Sequence, residues 1–206
     1  MDIAGSMSRK FEDRWRNIYK DMRKWEKEGF VLRLATKEDA EEYYEHNFNP
    51  LDSEMVRLTG SKSCYTHDEV VDFFKKCIDS PDRYDFVIIA PDGHIIGESV
   101  INEIDEEVRS ANFRICLFHS NEFGKGIGSW AIEKTLEFAF DDIKLHRVDL
   151  DVFSFNPRAI HAYKKAGFRQ EGILRDAIKD GGSFADDILM AILEDEWRSV
   201  KKEEQV

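Results

Sequence analysis

The sequence predicts an α/β fold of the α+β kind, with a mixed, largely antiparallel central sheet and helices on both of its faces. Three observations lead to this prediction. Apolar, strand-like runs follow one another between residues 85 and 118, separated by turn residues. A glycine-rich stretch at residues 121–130 then opens a long helical pattern. Two further strand-like runs flank Gly181-Gly182, and an N-terminal helical extension precedes the domain.

The composition is that of one soluble globular domain. The chain has 206 residues, of which 42% are hydrophobic and 35% charged. No apolar run approaches the roughly 18 residues that span a bilayer. The N-terminus lacks the apolar segment of a signal peptide, so we expect no membrane partner. Residues 1–6 are small and non-periodic, and we interpret them as an added leader ahead of a native start at Met7.

The cysteines and histidines argue against disulfides and metal sites. The three cysteines, Cys64, Cys77 and Cys116, are odd in number and form no C-x-x-C, and the six histidines are scattered. We therefore expect a reduced, cytoplasmic protein without a metal. The formal net charge of −12 argues against nucleic acid as a partner. It is compatible with a cationic substrate, although acidic surfaces also serve solubility.

An amphipathic helix is predicted over residues 8–28. Its apolar residues recur at helical spacing and form one stripe, which would pack on the domain or on a second copy of the chain in a homodimer. The stripe consists of Phe11, Trp15, Ile18, Tyr19, Met22 and Trp25. Gly29 is a natural helix stop, so the extension is assigned to residues 1–29.

The main domain is predicted to span residues 30–197, followed by a charged, frayed tail over 198–206. Thr36 and the capping box Thr66-His-Asp-Glu69 mark two helix starts, and residues 47–63 are irregular or weakly helical. The predicted strands are 30–35, 85–90, 94–104, 110–118, 147–153, 168–178 and 183–193, and the later helices are 127–142 and 156–165. The runs between 85 and 118 form an antiparallel meander.

The glycine-rich stretch Asn121-Glu-Phe-Gly-Lys-Gly-Ile-Gly-Ser-Trp130 follows a strand and starts a helix. Unbonded N–H groups at such a helix start, together with the helix dipole, bind anionic phosphate. Glycines let a pyrophosphate approach the backbone, and Lys125 adds positive charge. Neither a Walker motif nor G-x-G-x-x-G is present. Taken alone, the stretch fits a tight turn equally well.

A second motif changes this balance. It reads Asn156-Pro-Arg-Ala-Ile-His-Ala-Tyr-Lys-Lys-Ala-Gly-Phe168 and directly follows a predicted strand. Together the two motifs resemble those of the GNAT acyltransferase superfamily, in which N-x-x-A-x-x-x-Y-x-K-x-G-F marks the helix near the thiol. The resemblance covers about residues 31–197, and the chain is most similar to the branch with ribosomal-protein N-terminal and spermidine acetyltransferases. The usual family loop Q/R-x-x-G-x-G/A begins here with Phe123, which leaves the backbone cradle intact.

The resemblance implies acetyl-CoA as cosubstrate, held through its pyrophosphate by the glycine loop and through its pantetheine arm by the preceding strand. The implied cofactor-binding residues are Ile115, Cys116, Leu117, Phe118, Phe123, Gly124, Lys125, Gly126, Ile127, Gly128, Ser129, Asn156, Ala159, Tyr163 and Lys165. Asn156 would bond the cofactor near its reacting end. Tyr163 would protonate the leaving sulfur, which suits a phenol with an ordinary pKa of about 10.

The general base is less defined. Many family members carry a glutamate on the strand before the loop, where this chain has Asn112, an amide that cannot take a proton from an ammonium group. Glu98 and Glu103, on the preceding strand, are the next candidates, directly or through water. Either could equally be a solvated strand carboxylate. A mechanism without a dedicated protein base also stays open.

The function that the resemblance implies is acetyl transfer from acetyl-CoA to a primary amine. We expect a small cationic acceptor such as a polyamine or aminoglycoside, because Glu41–His46 mixes acids with aromatics. Glu42, Tyr43 and Asn112 are the candidate substrate contacts. Asp176 and Asp180, near the last hairpin, are further acids that could instead face solvent. A protein N-terminus is the second candidate acceptor, and a non-catalytic acyl-CoA-binding domain is the third hypothesis.

Overall fold

A computed structural model of the chain describes residues 23–203. Its strands are β1 (Lys24–Lys27), β2 (Phe30–Leu34), β3 (Tyr84–Ile89), β4 (Ile95–Asp105), β5 (Ser110–Leu117), β6 (Arg147–Phe153), β7 (Arg169–Asp180) and β8 (Ser183–Leu193). Its α-helices are α1 (Ala40–Asn47), α2 (Ser53–Thr59), α3 (His67–Asp79), α4 (Ile127–Glu137), α5 (Pro157–Lys165) and α6 (Glu194–Glu203). A π-helical turn at Phe138–Asp142 continues α4, and short 3₁₀ turns lie at Lys37–Asp39 and Ser120–Glu122.

The strands form one sheet in the order β1-β2-β3-β4-β5-β6-β8-β7. All neighbours are antiparallel except β5 and β6, so the predicted mixed, largely antiparallel sheet and its meander are confirmed. The parallel pairing joins Ser110 to Arg147, Ala111 to Val148 and Asn112 to Asp149. Beyond those pairs β5 continues along β4 and β6 along β8, but β5 and β6 no longer pair with each other. The sheet therefore forks between β5 and β6 at Asn112.

Helices cover both faces of the sheet, as predicted. On one face, α4 and α5 pack on β5, β6 and β8 around Phe113, Leu136 and Val148. On the other face, α1 and α3 enclose Tyr43 and Phe74. Burial of such apolar side chains supplies the main driving force for folding. Helices therefore flank the fork on both faces of the sheet, and its opening runs along the gap between β5 and β6.

The structure has a strand where the last part of the N-terminal helix was predicted. Residues 1–22 lie outside the described part of the chain, but β1 shows that the prediction of a helix is wrong for Lys24–Lys27. Glu28 and Gly29 take φ values of 52° and 84°, which close a two-residue hairpin turn onto β2. Trp25 packs on Phe86 at 5.9 Å, so its burial holds the strand in place. Gly29 therefore ends no helix.

Two other regions are more regular than the sequence indicated. Asp52 accepts the N–H groups of Glu54 and Met55 at 2.9 and 3.0 Å and starts α2 inside the segment predicted as irregular or weakly helical. The frayed tail predicted from Arg198 is wrong through residue 203, because α6 continues that far. Arg198 donates to Glu194 at 2.7 Å, one turn earlier, and supports that last part of the helix.

Candidate active site

A cavity of about 920 Å³ opens at the fork between β5 and β6. Its walls come from β5, β6, the glycine loop, the first turns of α4 and α5, and the α2–α3 region. Asn112 and Asp149, the last parallel pair, close its base, where the Asn112 amide nitrogen donates to the Asp149 carboxylate at 3.4 Å. The substrate contact predicted at Asn112 thus lines the cavity.

The edge of β5 offers unpaired backbone to the cavity. The N–H of Phe118 donates to the carbonyl of Ile96 at 2.9 Å, and backbone groups alternate in direction along an antiparallel strand. The N–H and C=O groups of Ile115 and Leu117 therefore point into the fork. Cys116 and Phe118 use theirs on β4. Of the strand residues predicted to pair with pantetheine, Ile115 and Leu117 are the two that can do so by backbone.

The glycine loop is shaped by conformation. Gly124 and Gly126 have φ values of 77° and 82°, in the left-handed region that other residues avoid. Gly126 is the N-cap of α4, and the first helical bond runs from Trp130 N–H to its carbonyl at 3.1 Å. The N–H groups of Ile127, Gly128 and Ser129 precede that bond, so they have no partner within the helix. Of these three residues, Gly128 and Ser129 line the cavity, whereas Ile127 is buried in the core and lies outside the lining, so the structure does not support a side-chain contact with the cofactor there.

Two cations border this loop. Lys125 lies 3.0 Å from Glu122 and is half exposed. Arg158, on the first turn of α5, places its guanidinium carbon 3.8 Å from the ring centroid of Phe123. Phe123, the unusual first residue of the loop, is thus a support for a positive charge. The sequence prediction missed Arg158, although its position two residues after Asn156 was visible in the motif.

The start of α5 uses Asn156 as its N-cap. The side-chain carbonyl of Asn156 accepts the N–H of Ala159 at 3.1 Å, and Pro157 occupies the first helical position. The amide nitrogen of Asn156 is therefore the group that can bond a ligand in the cavity. Ala159 also lines the cavity. Lys165 is exposed and lies outside the lining, so the structure does not support the cofactor contact predicted for it.

Tyr163 reaches the cavity from the last turns of α5. Its side chain is 6% exposed and packs against Phe168 at 5.7 Å and Phe113 at 6.3 Å. No residue among 23–203 is hydrogen-bonded to its hydroxyl. Burial raises the pKa of Tyr163, and nearby Cys116 and Asp151 add to the shift. The phenol therefore stays protonated, and its hydroxyl can donate a hydrogen bond to a ligand.

The two candidate bases differ in position. Glu98 lines the cavity, and one carboxylate oxygen accepts from the Tyr43 hydroxyl at 2.7 Å while the other lies 3.1 Å from Arg114. Glu103 is exposed at the hairpin end of β4 and lies outside the cavity lining. That position argues against the role predicted for Glu103. Position along the strand separates the two glutamates, because the fork opens towards only one end of β5.

The predicted acceptor contacts separate in the same way. Tyr43 lines the cavity, and burial followed by the charge of Glu98 raises its pKa well above the ordinary value. Glu42 instead accepts the backbone N–H of Ile95 at 2.8 Å and lies outside the lining, so the structure does not bring this predicted contact to the cavity. Asp180 pairs with Arg57 at 2.7 Å. Neither Asp180 nor Asp176 lines the cavity.

Side chains that the sequence prediction missed form an apolar chamber beside β5. The chamber is made by Phe48, Met55, Leu58, Tyr65 and Phe73, all in the cavity lining. Four of these residues come from the segment between α1 and α3, whose irregular pattern gave no sign of a common surface, and Phe73 comes from α3. Arg114, on the same face of β5 as Cys116, borders the chamber.

No group of three or more His, Cys, Asp or Glu side chains within residues 23–203 is arranged to hold a metal ion. No helix in that part of the chain is long and apolar enough to cross a membrane.

Known proteins are similar to this chain in sequence and in architecture. A family model described as an acetyltransferase (GNAT) domain matches residues 30–169. Spermidine N(1)-acetyltransferase of Vibrio cholerae is 31% identical over 130 residues, which cover 63% of this chain and 75% of that protein. Its counterpart in Escherichia coli K12 is 30% identical over 135 residues, covering 65% and 71%. The crystal structure of the Vibrio cholerae spermidine N-acetyltransferase with CoA and spermine matches at a TM-score of 0.73 and 27% identity, covering 84% of this chain and 99% of that one.

Proposed function

Because this chain belongs to the GNAT acetyltransferase family and is an acyltransferase enzyme, we propose that it transfers the acetyl group of acetyl-CoA to a primary amine. The observation that carries the proposal is the forked sheet. The fork brings unpaired backbone of β5, an unbonded helix start and the protonated hydroxyl of Tyr163 to one cavity. Each of these groups suits one part of a CoA thioester: the pantetheine arm, the pyrophosphate and the leaving sulfur.

The division of labour follows from the groups available. Backbone of Ile115 and Leu117 would bond the pantetheine arm as an extra strand does, and the N–H groups that open α4 would bond the pyrophosphate. One β5 N–H would polarise the thioester carbonyl. The amine attacks that carbonyl, the carbon–sulfur bond breaks, and the sulfur takes the proton of Tyr163.

The amine must also lose a proton. Glu98 is the carboxylate we propose for this step, through a water molecule, because it lines the cavity beside β5. One oxygen of Glu98 already contacts Tyr43 and the other Arg114. Each oxygen still has a lone pair that can accept from a water molecule, but the two partners limit direct contact of the carboxylate with the amine. Deprotonation by solvent without a protein base is the alternative, and Glu98→Gln separates the two. A loss of activity that higher pH restores, because more of the amine is then already deprotonated, would favour the glutamate.

A small cationic amine is the first candidate acceptor. The spermidine acetyltransferases among the relatives support it, as does the net charge of −12. A protein N-terminus is the alternative carried by the family resemblance. We include the location and assembly in the proposal. The three cysteines form no disulfide, which favours the reducing cytoplasm. Ile173, Leu174 and Phe184 expose 47%, 49% and 63% of their surface on the last hairpin, which favours a homo-oligomer.

The test is a turnover screen that follows free CoA with a thiol reagent. The panel contains polyamines, aminoglycosides, amino acids and N-terminal peptides, each with acetyl-CoA and the full chain. Acetyl transfer to at least one amine supports the proposal. Tight CoA binding without turnover on any amine, and no effect of Tyr163→Phe on any rate, would leave only a CoA-binding domain. Sedimentation of the chain and of Phe184→Ser tests the assembly.

A further inference from the structure

Most of the charges that line the cavity are paired with one another. Four carboxylates and four Lys or Arg side chains lie in the lining. The matched pairs are Glu69 with Lys62 at 3.5 Å, Glu98 with Arg114 at 3.1 Å and Glu122 with Lys125 at 3.0 Å. Asp151 remains without a salt bridge among the described residues. A polycation would meet one unpaired carboxylate here, so the charges of the lining do not favour a polycationic ligand.

Arg114 differs from the other cations of the lining, because its support is buried. Glu98 is 13% exposed and holds the guanidinium from one side, while its second oxygen is held by Tyr43. Tyr43 in turn packs on Phe74 at 4.4 Å and on Phe118 at 5.2 Å. A chain of contacts from the core therefore fixes the direction of the Arg114 side chain. Fixed donors bind a ligand without the entropy cost of ordering them.

The guanidinium also has donors to spare. Arginine carries five N–H groups in a planar fork. The contact with Glu98 involves one terminal nitrogen of Arg114, and no other residue within 23–203 bonds this side chain. Its side chain is 47% exposed and lines the cavity beside the apolar chamber. One residue further along β5 is Ile115, whose backbone faces the fork. A cation with open donors thus lies next to the reaction site.

We propose that Arg114 binds a carboxylate of the acceptor, and that the acceptor is an α-amino acid whose apolar side chain fills the chamber. The inference rests on the proposed acetyl transfer and replaces its first candidate acceptor, the small cationic amine that the names of the relatives favour, with an amino acid. Guanidinium and carboxylate pair through two parallel hydrogen bonds, which fix orientation as well as charge. The amine, one carbon away from that carboxylate, is then held beside β5.

The experiment compares two acceptors that differ only in this group, phenylalanine and phenylalaninamide. We measure kcat/KM for both with the wild-type chain and with Arg114→Gln, and divide the two ratios so that intrinsic amine reactivity cancels. The expected result is a roughly 10- to 100-fold loss of the preference for the carboxylate, the effect of removing a hydrogen bond between charged groups. Arg114→Lys should keep part of the preference, because it keeps the charge but not the fork.

Lys62→Gln is the matched control. It also removes a cation from the cavity lining, but Lys62 is 69% exposed and is held by no buried partner. It should leave the ratio unchanged, and an equal shift would mean that general charge, and not Arg114, sets the preference. CoA affinity serves as the check that each variant is folded.

Three outcomes would overturn the inference. The inference fails if the wild-type chain acetylates phenylalanine and phenylalaninamide equally well. It also fails if a preference for phenylalanine persists in Arg114→Gln. A higher kcat/KM for spermidine than for phenylalanine would return the acceptor to the polyamines. In each case acetyl transfer itself stands. Only the absence of turnover on every amine would overturn the proposed function, and the inference with it.

Discussion

The guanidinium of Arg158 lies 3.8 Å from the ring centroid of Phe123, which joins the start of α5 to the glycine loop. Both residues line the cavity. The contact places a positive charge close to the N–H groups that open α4. A cation held over an aromatic face is stabilised by ~0.5–2 kcal/mol.

Replacing Phe123 should therefore weaken CoA binding. We expect Phe123→Leu to raise the Kd for CoA by about 2- to 10-fold, because Arg158 loses the surface that orients it. Calorimetric titration measures this change, and the double variant with Arg158→Gln should show less than the sum of the single effects.

Phe184→Leu provides the control for Phe123. Lys179 lies 5.6 Å from the Phe184 ring, in a similar pair on the last hairpin and outside the cavity. Its removal should not alter the Kd for CoA. An unchanged Kd in Phe123→Leu as well would mean that the Phe123–Arg158 contact takes no part in cofactor binding.

Tyr163→Phe should reduce kcat by about 100-fold or more while CoA affinity stays nearly constant. The phenol is the group we expect to protonate the leaving sulfur, and the ring packing on Phe113 and Phe168 survives the change. Steady-state kinetics and calorimetry together check both halves of this statement. A normal kcat would exclude the acid role.

The pH profile gives a second view of Tyr163. Because burial raises the pKa of this phenol, its protonated form persists as pH rises past the ordinary value of about 10. The alkaline fall of kcat that belongs to this acid should therefore begin above that pH. A fall with a midpoint well below it, absent from Tyr163→Phe, would contradict the raised pKa.

Gly126→Val should weaken CoA binding strongly. Its φ of 82° suits glycine, and a branched side chain would both strain the loop and crowd the approach to the helix start. Gly93→Val is the matched control, because Gly93 has a φ of 94° in the β3–β4 turn, away from the cavity. Each variant should lose ~1–3 kcal/mol of unfolding free energy. Only Gly126→Val should change the Kd for CoA, and equal affinities in the two would argue against the loop as the phosphate site.

Gly97→Ala should destabilise the fold. A Cβ at Gly97 would lie 2.5 Å from the carbonyl oxygen of Cys116, which belongs to the β5 backbone and cannot move aside. We expect a loss of ~1–3 kcal/mol in unfolding free energy, typical of overpacking. Gly182→Ala, with open space around the added carbon, should cost far less. Similar midpoints in urea for the two variants would show that β5 shifts to accommodate the methyl group.

Local sequence patterns predicted most of the fold correctly. Helix caps such as Thr66 and alternating strands such as β6 depend on neighbours in sequence, and these predictions agree with the structure. The stretch around Trp25 did not, since its apolar spacing suits a helix while a two-residue turn and packing on Phe86 make it a strand. That competition is decided by contacts distant in sequence.

The candidate site divides along the same line. The glycine loop and the α5 motif are contiguous, so their residues could be named before the structure. The contacts of Arg158 with Phe123 and of Arg114 with Glu98 join different elements, and no spacing reveals them. Glu42 shows the converse, because its acidic character was visible but its use by the Ile95 backbone was not.

The short pairing between β5 and β6 also has a mechanical consequence. Backbone bonding joins the first five strands to the last three only up to Asn112 and Asp149, so the sheet has a weak seam along its middle. A ligand that bonds to both sides of the seam acts as a brace between two half-sheets. Its occupancy should raise the unfolding temperature and slow proteolysis beside the seam, with a stabilisation that grows as the logarithm of ligand concentration once that concentration exceeds Kd. The enzyme would then be stiffest while it is loaded and loosest as it exchanges one CoA for the next.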